Sequence, residues 1–289
     1  MKIRFLGTGS CESVPALFCN CPVCEELRRG IAAGEENALN SIRTRTQTMI
    51  DDEILIDFNA DTYYHALKNK LNLSALGVVL LTHTHEDHFY PQDLALRCEP
   101  YAHNLKYPVL TVYCNEKGQE AYDFYADLSG EHGGKVALQA VQLFKPIEWN
   151  GYRFTPLAAH HMRTEQALLW LVEKGNARYL CGNDTGMFPE ETFAFLEQMG
   201  KDGKPLSLIA LDCALGDTHY PYEWHLGVDD AAAIVTRLKA AGTITDKTHT
   251  YINHISHDYG HKSYAQYCEF AKTYGLSVSR NGLVVEVEE

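Results

Sequence analysis

No apolar run in the 289-residue chain approaches the roughly 18 residues that a bilayer-spanning helix needs, so no membrane partner is expected. Positive charge is scarce: 25 Lys and Arg stand against 38 Asp and Glu, a net of −13. Such a field repels polyanions, and non-specific binding of long nucleic acids needs the opposite sign. A large RNA or DNA substrate is therefore not expected, whereas a small anion held locally is compatible. There is no repeat, low-complexity block or Pro/Gly/Ser linker. The start, Met1 to Gly7, reads as a strand, and its apolar stretch is too short for a secretion signal. Nine cysteines make an odd number; without an export signal they are expected as reduced thiols or metal ligands in a cytoplasmic protein.

What is present is an alternation of short apolar runs with helical patterns. Strands are expected over residues 2–6, 46–50, 53–56, 78–81, 110–113, 152–157, 168–172, 178–181, 206–211, 250–253 and 283–287. Apolar runs of four to six residues suit strands covered on both faces. Helices are expected over 61–70, 116–128, 190–199, 229–240 and 263–274. In the last, Tyr264, Tyr267, Cys268 and Ala271 are spaced i, i+3, i+4, i+7 behind a capping Ser263. The mixture points to an α/β protein with helix-covered sheets, read as one domain over 1–289.

The chemistry follows a strand. Val78-Val79-Leu80-Leu81 runs into Thr82-His83-Thr84-His85-Glu86-Asp87-His88. His83 and His85 are two apart, so an extended backbone aims them the same way. Asp87 and His88 then turn toward a second position. Imidazole with carboxylate suits zinc, manganese, iron or nickel. Four such groups crowd one catalytic ion but suit two adjacent ones. Further ligands stand after other strands: His160 and His161, Asp184, and His254. A carboxylate such as Asp184 can bridge two cations. Separately, Cys19-x-Cys21-x-x-Cys24 offers three thiolates at a spacing suited to a structural zinc within a loop at about 11–24, its fourth ligand coming from elsewhere. The other cysteines, Cys98, Cys114, Cys181, Cys213 and Cys268, read as core residues.

The order His83-x-His85-x-Asp87-His88, a later His, an Asp and a final His resembles the metallo-β-lactamase-fold hydrolases. Within them, Gly7-Thr8-Gly9-Ser10-Cys11-Glu12-Ser13-Val14-Pro15, the cysteine cluster and His254-Ile255-Ser256-His257 most resemble the phosphodiesterases that accompany the carbon–phosphorus lyase system. The resemblance implies a four-layer αββα sandwich with a dinuclear site along one edge. It implies one metal on His83, His85 and His161, with His160 as a neighbouring alternative that would brace the site. A second metal falls to Asp87, His88 and His254, and Asp184 bridges the two together with a water or hydroxide. Asp57 would hold a ligand imidazole by its other N–H. His257 would complete the structural zinc site, with Cys11 and His261 as rivals. His225 matches a non-ligand active-site histidine and would be the general acid, with His219 as rival. The aromatic stretch from His219 to His225 is read either as a pocket wall or as a self-packed loop, and Tyr90 and Arg97 as near the pocket. The implied reaction is attack of a metal-bridging hydroxide on a small cyclic or nucleotide-like phosphodiester, in a possible homodimer. Other readings on the same fold are a lactonase, thioesterase or β-lactamase, a tRNA-processing endonuclease, and a non-catalytic relative of the pyrroloquinoline-quinone biosynthesis protein B family.

Overall fold

A computed structural model describes residues 1–129, 135–218, 224–259 and 262–289, with the backbone alone over 126–129. The first half contributes β1 (Lys2–Gly7), α1 (Pro22–Ala33), α2 (Glu36–Asn40), β2 (Gln47–Ile50), β3 (Ile54–Ile56), α3 (Thr62–Asn69), β4 (Val78–Leu80), β5 (Leu110–Cys114), α4 (Glu116–Ser129) and β6 (Val136–Ala140). The second contributes β7 (Ile147–Trp149), β8 (Tyr152–Ala158), β9 (Leu168–Lys174), β10 (Ala177–Gly182), α5 (Glu190–Lys201), β11 (Leu208–Asp212), α6 (Val228–Ala240), β12 (His249–Asn253), α7 (Tyr264–Lys272), β13 (Ser277–Val278) and β14 (Leu283–Glu286).

The strands form two seven-stranded sheets, ordered β14-β1-β2-β3-β4-β5-β6 and β13-β12-β11-β10-β9-β8-β7. Each sheet has the same plan. β14, β1, β2 and β3 pair antiparallel and β3 to β6 parallel. β7 to β10 pair antiparallel and β10 to β13 parallel.

The two-residue period of a strand decides the layers. Ile54, Ile56, Val78 and Leu80 face the second sheet, meeting Phe154, Trp170, Val172, Tyr179 and Leu208 in one buried cluster. Their neighbours Leu55, Val79 and Leu81 face outward into a second cluster. On the other sheet Leu169, Leu171, Ile209 and Leu211 face outward onto Phe193 and Leu196 of α5 and Ile234 and Leu238 of α6. Both sheets are thus buried on both faces, and the molecule is a four-layer αββα sandwich.

The central strands and five helices lie where the sequence pattern puts them, within a residue or two. α7 has its Ser263 cap: the hydroxyl accepts from Gln266 N–H, and Gln266 returns a bond to the Ser263 N–H. The pattern misses β6, β7 and β13, short strands at sheet edges whose half-exposed residues make no continuous apolar run. It also misses α1, because Cys21 caps this helix and Pro22 opens it inside the segment expected as a loop. Cys24 is therefore a helical residue, its thiol buried in the first turn.

Candidate metal centre

The site lies where strands of the two sheets end. β4 delivers residues 83–88, β10 delivers Asp184, β11 ends on Asp212 and β12 leads into His254. Such strand ends, just outside the sheet, are where open α/β folds leave backbone free to aim side chains at a ligand. The two sheets are stitched here: Trp170 donates its indole N–H to the Leu81 carbonyl (3.0 Å), and Leu168 N–H bonds the Thr82 carbonyl (2.9 Å).

Two ligand groups form. In the first, His83 Nε2 lies 2.9 Å and His161 Nε2 3.2 Å from His85 Nδ1. In the second, ligand atoms of Asp87, His88, Asp184 and His254 all lie within 4.8 Å of one another. Asp184 stands between the groups. Its Oδ2 is 3.2 Å from His88 Nε2, 3.8 Å from His161 Nε2 and 3.9 Å from His83 Nε2. Its Oδ1 is 3.1 Å from His254 Nε2. His254 has φ 54°, a left-handed turn at the strand end that swings its ring toward Asp184.

The donor set fits cations. His88 Nε2, His254 Nε2 and Asp184 Oδ1 are buried and, among the described residues, make no well-directed hydrogen bond despite their close approach to one another. Buried polar atoms are seldom left so, because each costs free energy. Converging imidazole nitrogens and carboxylates are what divalent ions bind. Burial depresses His83 and His161, which favours the neutral ring a metal requires. Burial would also depress His88, but the carboxylates of Asp184, Asp87 and Asp57 hold it well above the usual imidazole range. Asp184 is held well below the usual carboxylate range against its burial, by His254 and His88.

Supporting contacts fix the rings. His88 Nδ1 donates to Asp57 Oδ2 (2.7 Å), and Asp57 Oδ1 accepts from both Thr82 N–H (2.8 Å) and Thr82 Oγ (2.9 Å). His161 Nδ1 donates to the Trp224 carbonyl (2.9 Å). Of the two neighbouring histidines it is His161 that joins the cluster. His160 is outside the ligand groups: its side chain is exposed and its backbone N–H bonds Thr185 Oγ1 (3.0 Å). Successive residues past the β8 end point to opposite sides, and only one can face inward. Arg97 is also misplaced in the sequence reading. It bonds the carbonyls of Leu76 and Tyr107 beside a separate cavity.

His225 sits over the cluster, its ring stacked on that of His254 (centroids 5.5 Å apart) and edge-on to that of His161 (4.8 Å). Its Nδ1 donates to Asp212 Oδ2 (2.8 Å). Burial opposes the charged ring, but the Asp212 carboxylate raises it to about 9. His219, its rival, lies outside the described residues, as do the other aromatic-stretch positions up to 223. Asp212 is the functional residue that pattern reading passed over. It is fully buried and accepts from the N–H groups of Ala214 (2.9 Å) and Leu226 (3.3 Å). Its signal was available: like Asp184, it is a carboxylate at the end of an apolar strand.

The thiols of Cys19, Cys21 and Cys24 gather with a ring nitrogen of His257, all within 4.8 Å. Cys11 is outside this group, and His261 lies outside the described residues. Glu12 bonds the segment that runs from one cluster to the other, between His254 and His257. Its Oε1 accepts from Ser256 Oγ (2.5 Å) and His257 N–H (3.0 Å), and its Oε2 from Ser10. Burial would raise this carboxyl, but the bonds from Ser10 and Ser256 hold it down to about 2. Cys98, Cys114, Cys181 and Cys213 are buried core residues, and Cys268 is half-buried.

Two cavities open on the centre and meet at Cys11, His85 and Asp87. One, about 800 Å³, is walled by Arg163, Trp224, His225 and Tyr259. The other, about 760 Å³, is walled by Arg45, Tyr90 and Tyr125.

Comparison with solved structures places the fold. A diphosphatase of the PhnP family superposes with a TM-score of 0.70 at 23% identity, over 99% of this chain and 98% of that one. Zn²⁺-bound PqqB from Methylobacterium extorquens gives 0.75 at 16% identity, over 99% and 100%. The short form of human tRNase Z gives 0.66 at 13%, over all of both chains. Comparison with curated proteins gives no match. The family profile of the beta-lactamase superfamily domain matches residues 52–245, a span that holds every centre residue except His254. With two-thirds of its length matched and the sandwich and strand-end cluster in place, the chain belongs to the β-lactamase superfamily domain family and has the metallo-β-lactamase fold.

Proposed function

We propose that the chain is a dinuclear metal-dependent phosphodiesterase acting on a small phosphodiester. The observation that carries this reading is the pair of cavities meeting at the ligand cluster: a diester has two arms, and the centre has a lobe on each side. His83, His85 and His161 would hold one ion, Asp87, His88 and His254 the other, and Asp184 both. Divalent cations there supply Lewis acidity and a reactive water at neutral pH. The acidic centre also needs them, since Asp87 and Asp184 alone would repel an anionic substrate.

The chain's own residues do the rest. Asp57 and the Trp224 carbonyl fix the orientations of His88 and His161. His225, protonated at neutral pH and bound through Nδ1 to Asp212, has its Nε2 left to give a proton to the departing alkoxide. Cys19, Cys21, Cys24 and His257 would hold a structural zinc that clamps the N-terminal segment beside the centre. The net charge of −13 favours a small substrate over a long nucleic acid.

The test combines metal quantification with assays of bis(p-nitrophenyl) phosphate, the monoester, a lactone and a β-lactam in manganese or zinc. About three ions per chain with diester turnover is the expected result. Turnover of the lactone or β-lactam alone overturns the substrate class. In Cys21→Ala, the ion count should fall by one zinc while the other ions stay; an unchanged count overturns the cysteine site.

A further inference from the structure

Two threonines alternate with the first two histidines in Thr82-His83-Thr84-His85. Each is held in the same way by one carboxylate oxygen. Asp57 Oδ1 accepts from the Thr82 N–H and hydroxyl. Glu165 Oε1 accepts from the Thr84 N–H (3.0 Å) and the Thr84 hydroxyl (2.6 Å). The chain has left β4 at this point, so these N–H groups have lost their ladder partners and the carboxylates take their place. Hydrogen bonds to a charged acceptor are short and about twice as strong as neutral ones.

The second oxygen of Asp57 holds the ring of His88. Glu165 serves the other ligand group. It stands between β8 and β9 of the second sheet, four residues after His161. Its Oε2 accepts from Asn115 Nδ2 (2.6 Å) at the end of β5. Asn115 is buried, its Nδ2 also donates to the Gln166 carbonyl (2.9 Å), and its Oδ1 accepts from the Gly118 N–H of α4 (2.9 Å). One carboxylate thus ties three segments: the loop carrying His83 and His85, the loop carrying His161, and the start of α4. Thr84 lies between two rings that turn to one side of the backbone, with His83 Nε2 2.9 Å from His85 Nδ1. Holding the Thr84 backbone and side chain together therefore fixes the direction of both rings. Glu165 belongs to neither ligand group, and its bonds go to Thr84 and Asn115 rather than to Asp87, His88, Asp184 or His254.

We propose that Glu165 is a positioning residue for the ion assigned to His83, His85 and His161, and that it sets the affinity of that ion apart from its neighbour's. The proposal rests on the two-ion assignment above and deepens it. Two carboxylates that are not themselves ligands each serve one ion: Asp57 through His88, and Glu165 through Thr84 and the loop of His161.

The experiment is zinc retention, read without substrate. The zinc-loaded wild type and its variants are equilibrated with a graded series of chelator, and the ions left per chain are counted. In Glu165→Ala, one central ion should leave at roughly 10- to 100-fold lower free chelator, the usual scale for losing a group that orients a metal ligand. The other central ion and the thiolate-bound zinc should stay. Glu165→Gln should fall between, because its amide oxygen still accepts from Thr84 while its NH2 cannot accept from Asn115. Thr84→Val keeps the side-chain shape and loses only the hydroxyl bond, so it should loosen the same ion to a smaller extent even if Glu165→Ala folds poorly. His161→Ala removes a ligand of the affected ion, and adding Glu165→Ala to it should cause no further loss. Unchanged retention in Glu165→Ala and Thr84→Val, equal loosening of both central ions, or a further loss in the His161→Ala background overturns the proposal. Fewer than two central ions in the wild type overturns the two-ion assignment itself, a result read before any variant.

Discussion

Single side chains decide the chemistry of this centre more than composition does. Asp212 lines neither cavity, yet its carboxylate keeps His225 charged, and in the proposed mechanism that decides whether a proton is available for the leaving group. Asp212→Ala should lower kcat about 100-fold on a diester with an alkyl leaving group, the usual scale of general acid catalysis. The loss should be far smaller for a p-nitrophenyl leaving group, which departs without protonation. Asp212→Asn, which keeps an oxygen for the Ala214 and Leu226 N–H groups, should show the same split. Equal losses on both substrates, with metal content unchanged, would sink the assignment. In the wild type, activity on the alkyl diester should fall as pH rises through about 9, where His225 loses its proton. His225→Ala should lack that limb.

Elements are joined by buried polar contacts that carry their own pH dependence. His65 of α3 is almost fully buried between two elements. Its Nδ1 meets Gln47 Oε1 of β2 at 2.8 Å and its Nε2 meets Thr44 Oγ1 at 2.7 Å. Burial drives its pKa down to about 4. An unfolded chain takes up the proton near 6.5 while the folded one resists it, so acid favours unfolding. The stabilising effect of the neutral ring is complete above pH 6.5 and is lost progressively as pH falls toward 4. Urea unfolding at pH 7.5 and 4.5 should show the wild type losing about 2 kcal/mol more than His65→Gln over that interval. Equal losses in the two proteins would show that His65 is not the group responsible. A pattern reader sees His65 only as one polar position in a helix. Its partners lie 18 and 21 residues away and become visible when β2 and α3 pack.

At the scale of the molecule, the inter-sheet core and the metal loop are one mechanical unit. Trp170 is fully buried between the sheets, and its indole N–H holds the Leu81 carbonyl one residue before the Thr82–His88 loop. Trp170→Ala should cost about 3–5 kcal/mol in urea unfolding, the range for large aromatic truncations in cores. It should also weaken metal retention under a chelator. Trp170→Phe should cost less in packing yet still loosen the loop, because it keeps the ring and loses the bond. If stability fell but metal retention did not, the loop would be positioned independently of the core.

The amino-acid sequence by itself determined the double-faced burial of β3, β4, β9 and β11, since their continuous apolar runs leave no face for water. It also determined the His83–His88 loop, because ligand types and spacing are local facts. Edge strands β6, β7 and β13 were not legible, because an edge is defined by what is missing beside it. Tertiary structure alone decided three things: that His161 rather than His160 turns inward, that Asp212 reaches His225 thirteen residues on, and that Glu12 bonds the segment leading from His254 to His257. Each joins residues whose separation along the chain carries no periodic signal. Only the packing of two sheets, with their strand ends meeting along one edge, brings those groups within bonding distance.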